Sequence, residues 1–192
     1  MTQIQIAILV FVGLALFFVF LKLAIQGQPA VAPDSNAILA VRQMVHLRGL
    51  SFPSAQRFWD PAEYEMLRAT PELREVTQMF RKERQTLALA WISLLLDDVH
   101  SLWRFRRFLV RNGVQARIGE EFQILQTAVG AVLFLNFLRI VVRVAGPFAL
   151  AGAGSRARRL VETMSHASAG VLDRLPRAGW ADVERDWQKS LA

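Results

Sequence analysis

The sequence predicts an all-α protein in which an N-terminal transmembrane helix precedes a helical bundle, and three observations support this fold class. Of the 192 residues, 53% are hydrophobic and only 20% are charged, which is more apolar than a typical soluble domain. Residues 2–21 carry no charged side chain at all. The remaining chain contains repeated helix-start signals and no strand-like alternation of polar and apolar residues.

Residues 1–25 are predicted to form the membrane anchor. Every residue from Ile6 to Leu21 is apolar or glycine. A helix over residues 4–25 would be about 33 Å long, which matches a hydrocarbon core of about 30 Å. The alternative is a cleaved signal peptide, because residues 30–32 (Ala-Val-Ala) form a small-x-small site. The anchor is favoured because no basic region precedes the apolar run and the cleavage site lies about ten residues beyond it.

The charges around this segment predict a single-pass protein with its C-terminal domain in the cytoplasm. Only the α-amino group is positive before the span, whereas Lys22, Arg42 and Arg48 follow it. Residues 26–33 contain two prolines and a glycine, which predicts a linker. The helical domain is then expected to occupy residues 34–192.

Capping patterns predict where the helices of this domain begin. Asp34 or Ser35 can cap a helix that ends near Gly49. The sequence Asp60-Pro-Ala-Glu63 predicts a second start, with a cap, a proline at the first helical position and a glutamate at the third. Thr70-Pro-Glu72 repeats the pattern shortly afterwards. Two starts so close together predict a short helix, a kink and a long helix.

A long antiparallel helix hairpin is the main tertiary prediction. Asn112-Gly113 is expected to end one helix, with the glycine in the left-handed conformation, and to separate helices at about 71–111 and 114–145. Folding about this turn places the apolar run 87–96 opposite the apolar run 129–138. The same register places Arg104 and Arg106 beside Glu121 and Glu120, and Glu83 within one residue of Arg143.

The two apolar runs are hydrophobic around most of the helix circumference, so pairing leaves outer faces that need a cover. Candidate covers are helices at 35–48 and 155–175, the bilayer, or a partner protein. Segment 122–154 is a candidate for association with the membrane, by dipping into one leaflet. The predicted interaction surface consists of Trp91, Leu94, Leu95, Phe134, Phe137 and Leu138.

The positive charge is concentrated in one region and favours an acidic partner. The formal net charge is +7, and residues 104–159 hold ten arginines against Glu120 and Glu121. Membrane lipids are the simplest acidic partner for an anchored chain. Nucleic acid is not expected, because no DNA- or RNA-binding motif accompanies the arginines. The alternative is that these arginines form internal ion pairs or are solvated. Candidate contacts with anionic lipid or an acidic partner are Arg107, Arg111, Arg117, Arg156, Arg158 and Arg159.

Residues that could carry chemistry are few, so we expect a protein that is not an enzyme. The chain has no cysteine, which excludes thiolate metal sites and cysteine nucleophiles. Asp97 with His100, and Glu162 with His166, are acid and histidine neighbours on a helix face, too few for a di-iron type of site. No catalytic residue, metal ligand, cofactor site or cofactor is therefore predicted. The tryptophans could anchor at a membrane interface or pack under helix ends: Trp59, Trp103, Trp180 and Trp187.

Two classes of function remain. The first is a non-catalytic scaffold or accessory subunit, anchored in the membrane and bound to other membrane protein subunits, which accounts for the surplus apolar surface. The second is a lipid-binding or membrane-shaping protein that acts on the bilayer through residues 122–154 and their arginines.

Overall fold

The computed structural model describes residues 33–52, 55–114, 118–150 and 152–191. The all-α class is confirmed, since these residues form helices and turns and include no strand. The predicted anchor over residues 1–25, and the linker 26–33 except for Pro33, lie outside the described residues, so both stay predictions.

Within the described ranges, six α-helices follow one another along the chain. The helices are α1 (Ser35–Val45), α2 (Ala62–Ala69), α3 (Arg74–Arg111), α4 (Ile118–Ala145), α5 (Ala153–Leu172) and α6 (Trp180–Leu191). Single 3₁₀ turns precede or connect them at Ala55–Trp59, Pro71–Leu73, Pro147–Ala149 and Arg177–Gly179.

Local chemistry accounts for the helix ends. The Asp34 carboxylate accepts the backbone N–H of Asn36 at 3.3 Å, and Asp60 accepts that of Ala62 at 3.0 Å, so these two start signals are used. The Thr70 side chain makes no capping hydrogen bond, and a 3₁₀ turn precedes the long helix there. Helix α1 ends before the expected Gly49, because His46 adopts a left-handed φ of 55°. Gly113 has a φ of 85°, the left-handed conformation expected for it after α3.

Helices α3, α4 and α5 pack as an up-down-up bundle. The Arg81 guanidinium donates to the carbonyl of Ala145 at 3.0 Å, and Gln85 donates to that of Val142 at 2.8 Å. At the opposite end, Arg106 pairs with Glu121 at 2.7 Å. These contacts join the start of α3 to the end of α4 and the end of α3 to the start of α4, as antiparallel neighbours require.

The expected ion pairs along α3 and α4 differ in detail from the observed ones. Arg106 pairs with Glu121, whereas Glu120 pairs with Arg174 beyond the end of α5, with 2.6 Å between nitrogen and oxygen. No ion pair between the described side chains joins Glu83 to Arg143; the backbone carbonyl of Arg143 instead accepts the Gln85 amide at 3.0 Å. The residue that pairs with Glu120 therefore comes from the segment after α5, and not from α3 as predicted.

Helix α5 occupies the centre of the bundle. It packs against α1, α3 and α4, whereas α4 has α3 and α5 as its main neighbours. Helices α1 and α4 therefore lie at opposite corners. Helix α6 packs against α1 and α3, on the side away from α4.

The tryptophans pack in the interior or under helix ends. Trp59 lies edge-on against Trp91, with ring centroids 6.1 Å apart, and Trp187 lies edge-on against Phe105 at 5.2 Å. The Trp187 indole donates to the carbonyl of Met44 at 3.1 Å. Trp103 and Trp180 are half-buried against the same core.

Candidate interaction surface

Helix α4 is apolar on both its inner and its outer sides. Its inner side is built from residues that are at most 7% exposed: Ala128, Ala131, Phe134, Leu135, Leu138 and Val142. Its outer side carries a row of large apolar residues, which we call the outer stripe: Phe122 (67% exposed), Leu125 (42%), Val129 (42%), Leu133 (47%), Ile140 (61%) and Val144 (81%).

The outer stripe is continuous because its members recur every three or four residues, apart from the position filled by Asn136. From Phe122 to Val144 it extends for about 33 Å along the helix. Asn136 lies exposed between Leu133 and Ile140, and its amide donates to the Val132 carbonyl of its own helix at 2.8 Å. One face of α4 is therefore apolar along almost its full length.

The position of α4 in the bundle explains why this face is uncovered. Helices α3 and α5 cover its inner side, and α1 and α6 pack elsewhere. In the part of the chain that the structure describes, Gly119–Ala145 is the one helical segment long and apolar enough to cross a membrane, and 39% of its most apolar stretch is buried. Length and composition alone do not make it a span, since core helices pass the same test.

The residues predicted to form the interaction surface lie largely in the core. Trp91, Leu95, Phe134 and Leu138 are at most 6% exposed, and Leu94 and Phe137 are half-buried. Residues after α1 cover Trp91, whose indole donates to the Gly49 carbonyl at 3.0 Å. A partner of the free domain would therefore meet the outer stripe rather than these side chains. On α4, the outer stripe and the predicted residues come from the same apolar stretch of sequence. The two groups differ in the side of the helix that they occupy.

The predicted anion-binding arginines lie at both ends of α4. Arg107 and Arg111 are exposed at the end of α3, next to the start of α4. Arg156 and Arg159 are exposed at the start of α5, next to the end of α4. Arg158 is partly engaged, because it pairs with Glu162 at 2.9 Å. Arg117 lies outside the described residues.

Arg143 was not among the predicted contacts, although it lies at the carboxyl end of the outer stripe. It is exposed, and it follows Ile140 by three residues on the same helix. The sequence signal that could have identified it is this helical spacing, since residues three and four apart share a face.

A second apolar surface lies where α3 projects beyond α4. Because Arg81 contacts Ala145 at the last turn of α4, the residues of α3 that precede Arg81 extend past that helix. Apolar side chains are exposed there, on the preceding 3₁₀ turn and on the adjacent α2: Met66 (68% exposed), Leu73 (37%), Val76 (50%) and Met79 (68%). We call this group the projecting end.

Asp97 and Asp98 form an acidic cluster on α3, and Asp98 has a structural role because it fixes the segment after α1. Asp98 is 4% exposed and accepts the backbone N–H groups of Arg48 and Leu50, each at 3.0 Å. Burial raises the pKa of Asp98 to about 6, although these hydrogen bonds act in the opposite direction. Gly49 lies so close to α3 that a Cβ would be 2.9 Å from the Leu95 backbone nitrogen. The carboxylate therefore holds the segment against the helix.

Next to Asp98 lies a shallow cavity of about 220 Å³, lined by Val45, His46, Arg48, Leu94, Asp97, Asp98 and Ser101. Asp97 is exposed on one side of it, and His100, one turn further along α3, is also exposed. Among the described side chains, no group of three or more histidines and carboxylates is arranged to hold a metal ion.

The chain matches no protein-family model, and searches of curated proteins and of solved structures likewise find no match.

Proposed function

We propose that the protein is a non-catalytic scaffold or accessory subunit that residues 4–25 anchor in a membrane. The observation that carries this proposal is the outer stripe of α4. Soluble monomers rarely expose a continuous apolar surface of this length, and such surfaces usually mark contact with a membrane or with another protein. A helical domain held at a bilayer accounts for it.

The projecting end is the surface that we assign to a protein partner. Its two methionines and its valine are all at least half exposed and lie on two adjacent elements. Methionine side chains are flexible and polarizable, and they are common at binding surfaces that adapt to a partner helix. The projection of α3 past α4 makes this end accessible even when the outer stripe is covered.

A photo-crosslinking residue at Met79 in the full-length chain, expressed in native membranes, tests the protein partner. We expect one discrete protein adduct that is lost when Val76→Asp is added. Gln78→Asp, an exposed substitution on the same turn, is the matched control and should leave the adduct intact. Adducts with lipid alone, or an equal yield from a crosslinker at Gln188 on α6, would contradict the assignment.

The acidic cluster on α3 provides a test of the non-catalytic part of the proposal. Asp98 is used to bind backbone N–H groups, and this structural role accounts for it without any reaction. The double variant Asp97→Asn with His100→Ala leaves Asp98 in place, so we expect it to fold, assemble and keep the biological activity of the wild type. Loss of biological activity in a variant that still folds and assembles would indicate chemistry at this cluster.

A lipid-binding or membrane-shaping protein is the second candidate, favoured by the arginines at both ends of α4. Under that function the bilayer itself is the substrate and no protein partner is required. Absence of the Met79 protein adduct, together with a change in vesicle shape or lipid packing on adding the protein, would favour this candidate.

A further inference from the structure

We propose that α4 lies in the plane of the membrane, with its outer stripe seated at the boundary between the headgroups and acyl chains of an anionic bilayer. This inference rests on the membrane location in the proposed function and names what covers α4. The bundle then lies on its side, with α1 and α6 turned towards water.

The distribution of apolar and charged residues on α4 supports this arrangement. Exposed positions of the helix between Leu125 and Ile140 are apolar except for Asn136, and exposed Arg143 follows at the carboxyl end. The only acids of α4 are Glu120 and Glu121, and both are in ion pairs, with Arg174 and Arg106. An apolar stripe without unpaired carboxylates is compatible with an anionic surface.

Arginines at both ends of the helix distinguish an in-plane position from a crossing. Arg107 and Arg111 lie next to the start of α4, and Arg143 lies at its end. A crossing would carry one of these arginine groups to the opposite side of the membrane, which the positive-inside rule opposes, whereas in the interface both ends face the phosphates of one leaflet. A protein partner would need matching acids at two positions more than 30 Å apart, by a rise of about 1.5 Å per residue.

The neighbours of α4 exclude a simple crossing of this helix. Helices α3 and α5 run alongside it for most of its length, so they would enter the hydrocarbon with it. They would carry Asp97 and His100, which are exposed, and the half-exposed Arg158–Glu162 pair. Ionisable side chains are costly at the bilayer centre.

The length of the upstream chain is compatible with the side-on position. The described chain begins next to Asp34, which pairs with Arg177 at 2.6 Å beyond the end of α5, and this is the end of the bundle where α4 starts. Residues 26–33 can reach about 28 Å when extended. Helices α1 and α4 lie at opposite corners, about 14 Å apart when neighbouring helices are 8–10 Å apart. The linker is therefore long enough to join a membrane-embedded residue 25 to α1 with the outer stripe on the bilayer.

Spin labels on single cysteines test the proposal, because the natural chain has no cysteine. The full-length protein carrying a nitroxide at Leu133 is reconstituted in phosphatidylcholine vesicles that contain phosphatidylglycerol. We expect this label to collide with oxygen, which concentrates in lipid, several-fold more than with a water-soluble nickel complex. A label at Gln188, exposed on α6, should show the opposite preference.

Each other result at Leu133 overturns the proposal. Preference for the nickel complex would place the outer stripe in water. Shielding from both reagents would show that protein covers it: a partner helix, a second copy, or residues 4–25 of the same chain. A label at Val10 separates this failure from failure of the proposed function. If Val10 reports lipid and Leu133 does not, only the position of α4 is wrong; if Val10 reports water, the anchor itself fails.

Substitution of Arg143, at the end of the outer stripe, tests whether anionic lipid contributes to membrane contact. The fold should be unchanged in this variant. Arg143→Gln should make the Leu133 label several-fold more accessible to the nickel complex in anionic vesicles, and should cause little change in vesicles of phosphatidylcholine alone. Arg68→Gln, on the exposed side of α2, is the control with the same loss of charge. Equal effects of the two substitutions would contradict a specific contact between Arg143 and lipid phosphate.

Discussion

Helices α4 and α5 are neighbours in one bundle, but they place their apolar residues differently. In α5, the large apolar residues Leu160, Val161, Met164 and Leu172 are at most 2% exposed. The exposed residues of α5 are Arg156 and Arg159. In α4, six large apolar residues form the exposed outer stripe, in addition to a buried inner side.

This difference distinguishes apolar residues that are buried in the core of the domain from apolar residues that the core does not explain. The sequence of α5 is explained by packing against α1, α3 and α4, since its apolar side is covered. Packing within the described chain explains only the inner side of α4. The outer stripe therefore points to a contact outside that part of the chain.

Arg106 of α3 contacts both α4 and α5, and its removal should have a large effect on stability. It is 1% exposed, pairs with Glu121 of α4 and donates to the Ala167 carbonyl of α5 at 3.0 Å. Arg106→Ala should lower the free energy of unfolding by about 3 kcal/mol, because it leaves partners without their charge-assisted bonds. Chemical denaturation of the full chain in micelles measures this.

Arg107→Ala is the matched control for that prediction, since Arg107 is adjacent and exposed. Its cost should be within about 0.5 kcal/mol. Similar costs for both variants would show that the buried connection among α3, α4 and α5 is not a main source of stability.

Asp98 lies on the side of α3 that faces the segment after α1, and it should make the free energy of unfolding depend on pH. Its pKa is raised from 3.8 to about 6 by burial, so the folded protein binds this proton more tightly than the unfolded chain. The contribution of this group to stability is therefore complete below about pH 4 and is lost as the pH rises to about 6, by roughly 2–3 kcal/mol.

Asp98→Asn removes the titrating group and should abolish that part of the pH profile. Asp97→Asn, at the preceding, exposed position of α3, is the control and should keep most of the wild-type profile, because the Asp97 charge is the smallest of the causes that act on the Asp98 pKa. Denaturation at several pH values in one buffer series measures both. A wild-type profile in Asp98→Asn would show that another group causes the pH dependence.

Alanine substitutions at two glycines of α5 with different surroundings should have smaller effects on stability, and the effects should have opposite signs. A Cβ on Gly154 would lie 2.4 Å from the Trp59 ring, and that ring is held edge-on against Trp91. Gly154→Ala should therefore cost about 1–3 kcal/mol. Gly170 has nothing within 4 Å of its Cβ position, and Gly170→Ala should stabilise the helix by up to about 1 kcal/mol. Thermal unfolding of the two variants compares them; equal signs would contradict the close packing of α5.

Local signals in the sequence were sufficient to predict the class and several helix ends. Asp34 and Asp60 cap as expected, and Gly113 adopts the left-handed conformation, because each depends on residues only a few positions away. The end of α1 was placed three residues too late. The left-handed conformation of His46 was missed, since histidine rarely has a positive φ.

The exposed side of the hairpin could not be predicted, because it depends on a third helix. Helix α5 packs against both α3 and α4 and has small residues on its buried side: Gly154, Ala157, Ser165 and Ser168. Leu95, Leu135 and Leu138 are fully buried in the same bundle. Pairing the apolar runs of α3 and α4 alone does not determine how each helix is rotated about its own axis. Trp91 was assigned to the interaction surface for the same reason, since Gly49 and Trp59, from another part of the chain, contact it.

One measurement tests most directly whether the outer stripe lies outside the core that folds the domain. Leu133→Asp on α4 and Leu160→Asp on α5 put the same charge on leucines that are 47% and 2% exposed. In unfolding experiments on the full chain in the same micelles, we predict a cost within about 1 kcal/mol for Leu133→Asp and of several kcal/mol for Leu160→Asp. Equal, large losses in both variants would place the outer stripe inside the fold and contradict this account.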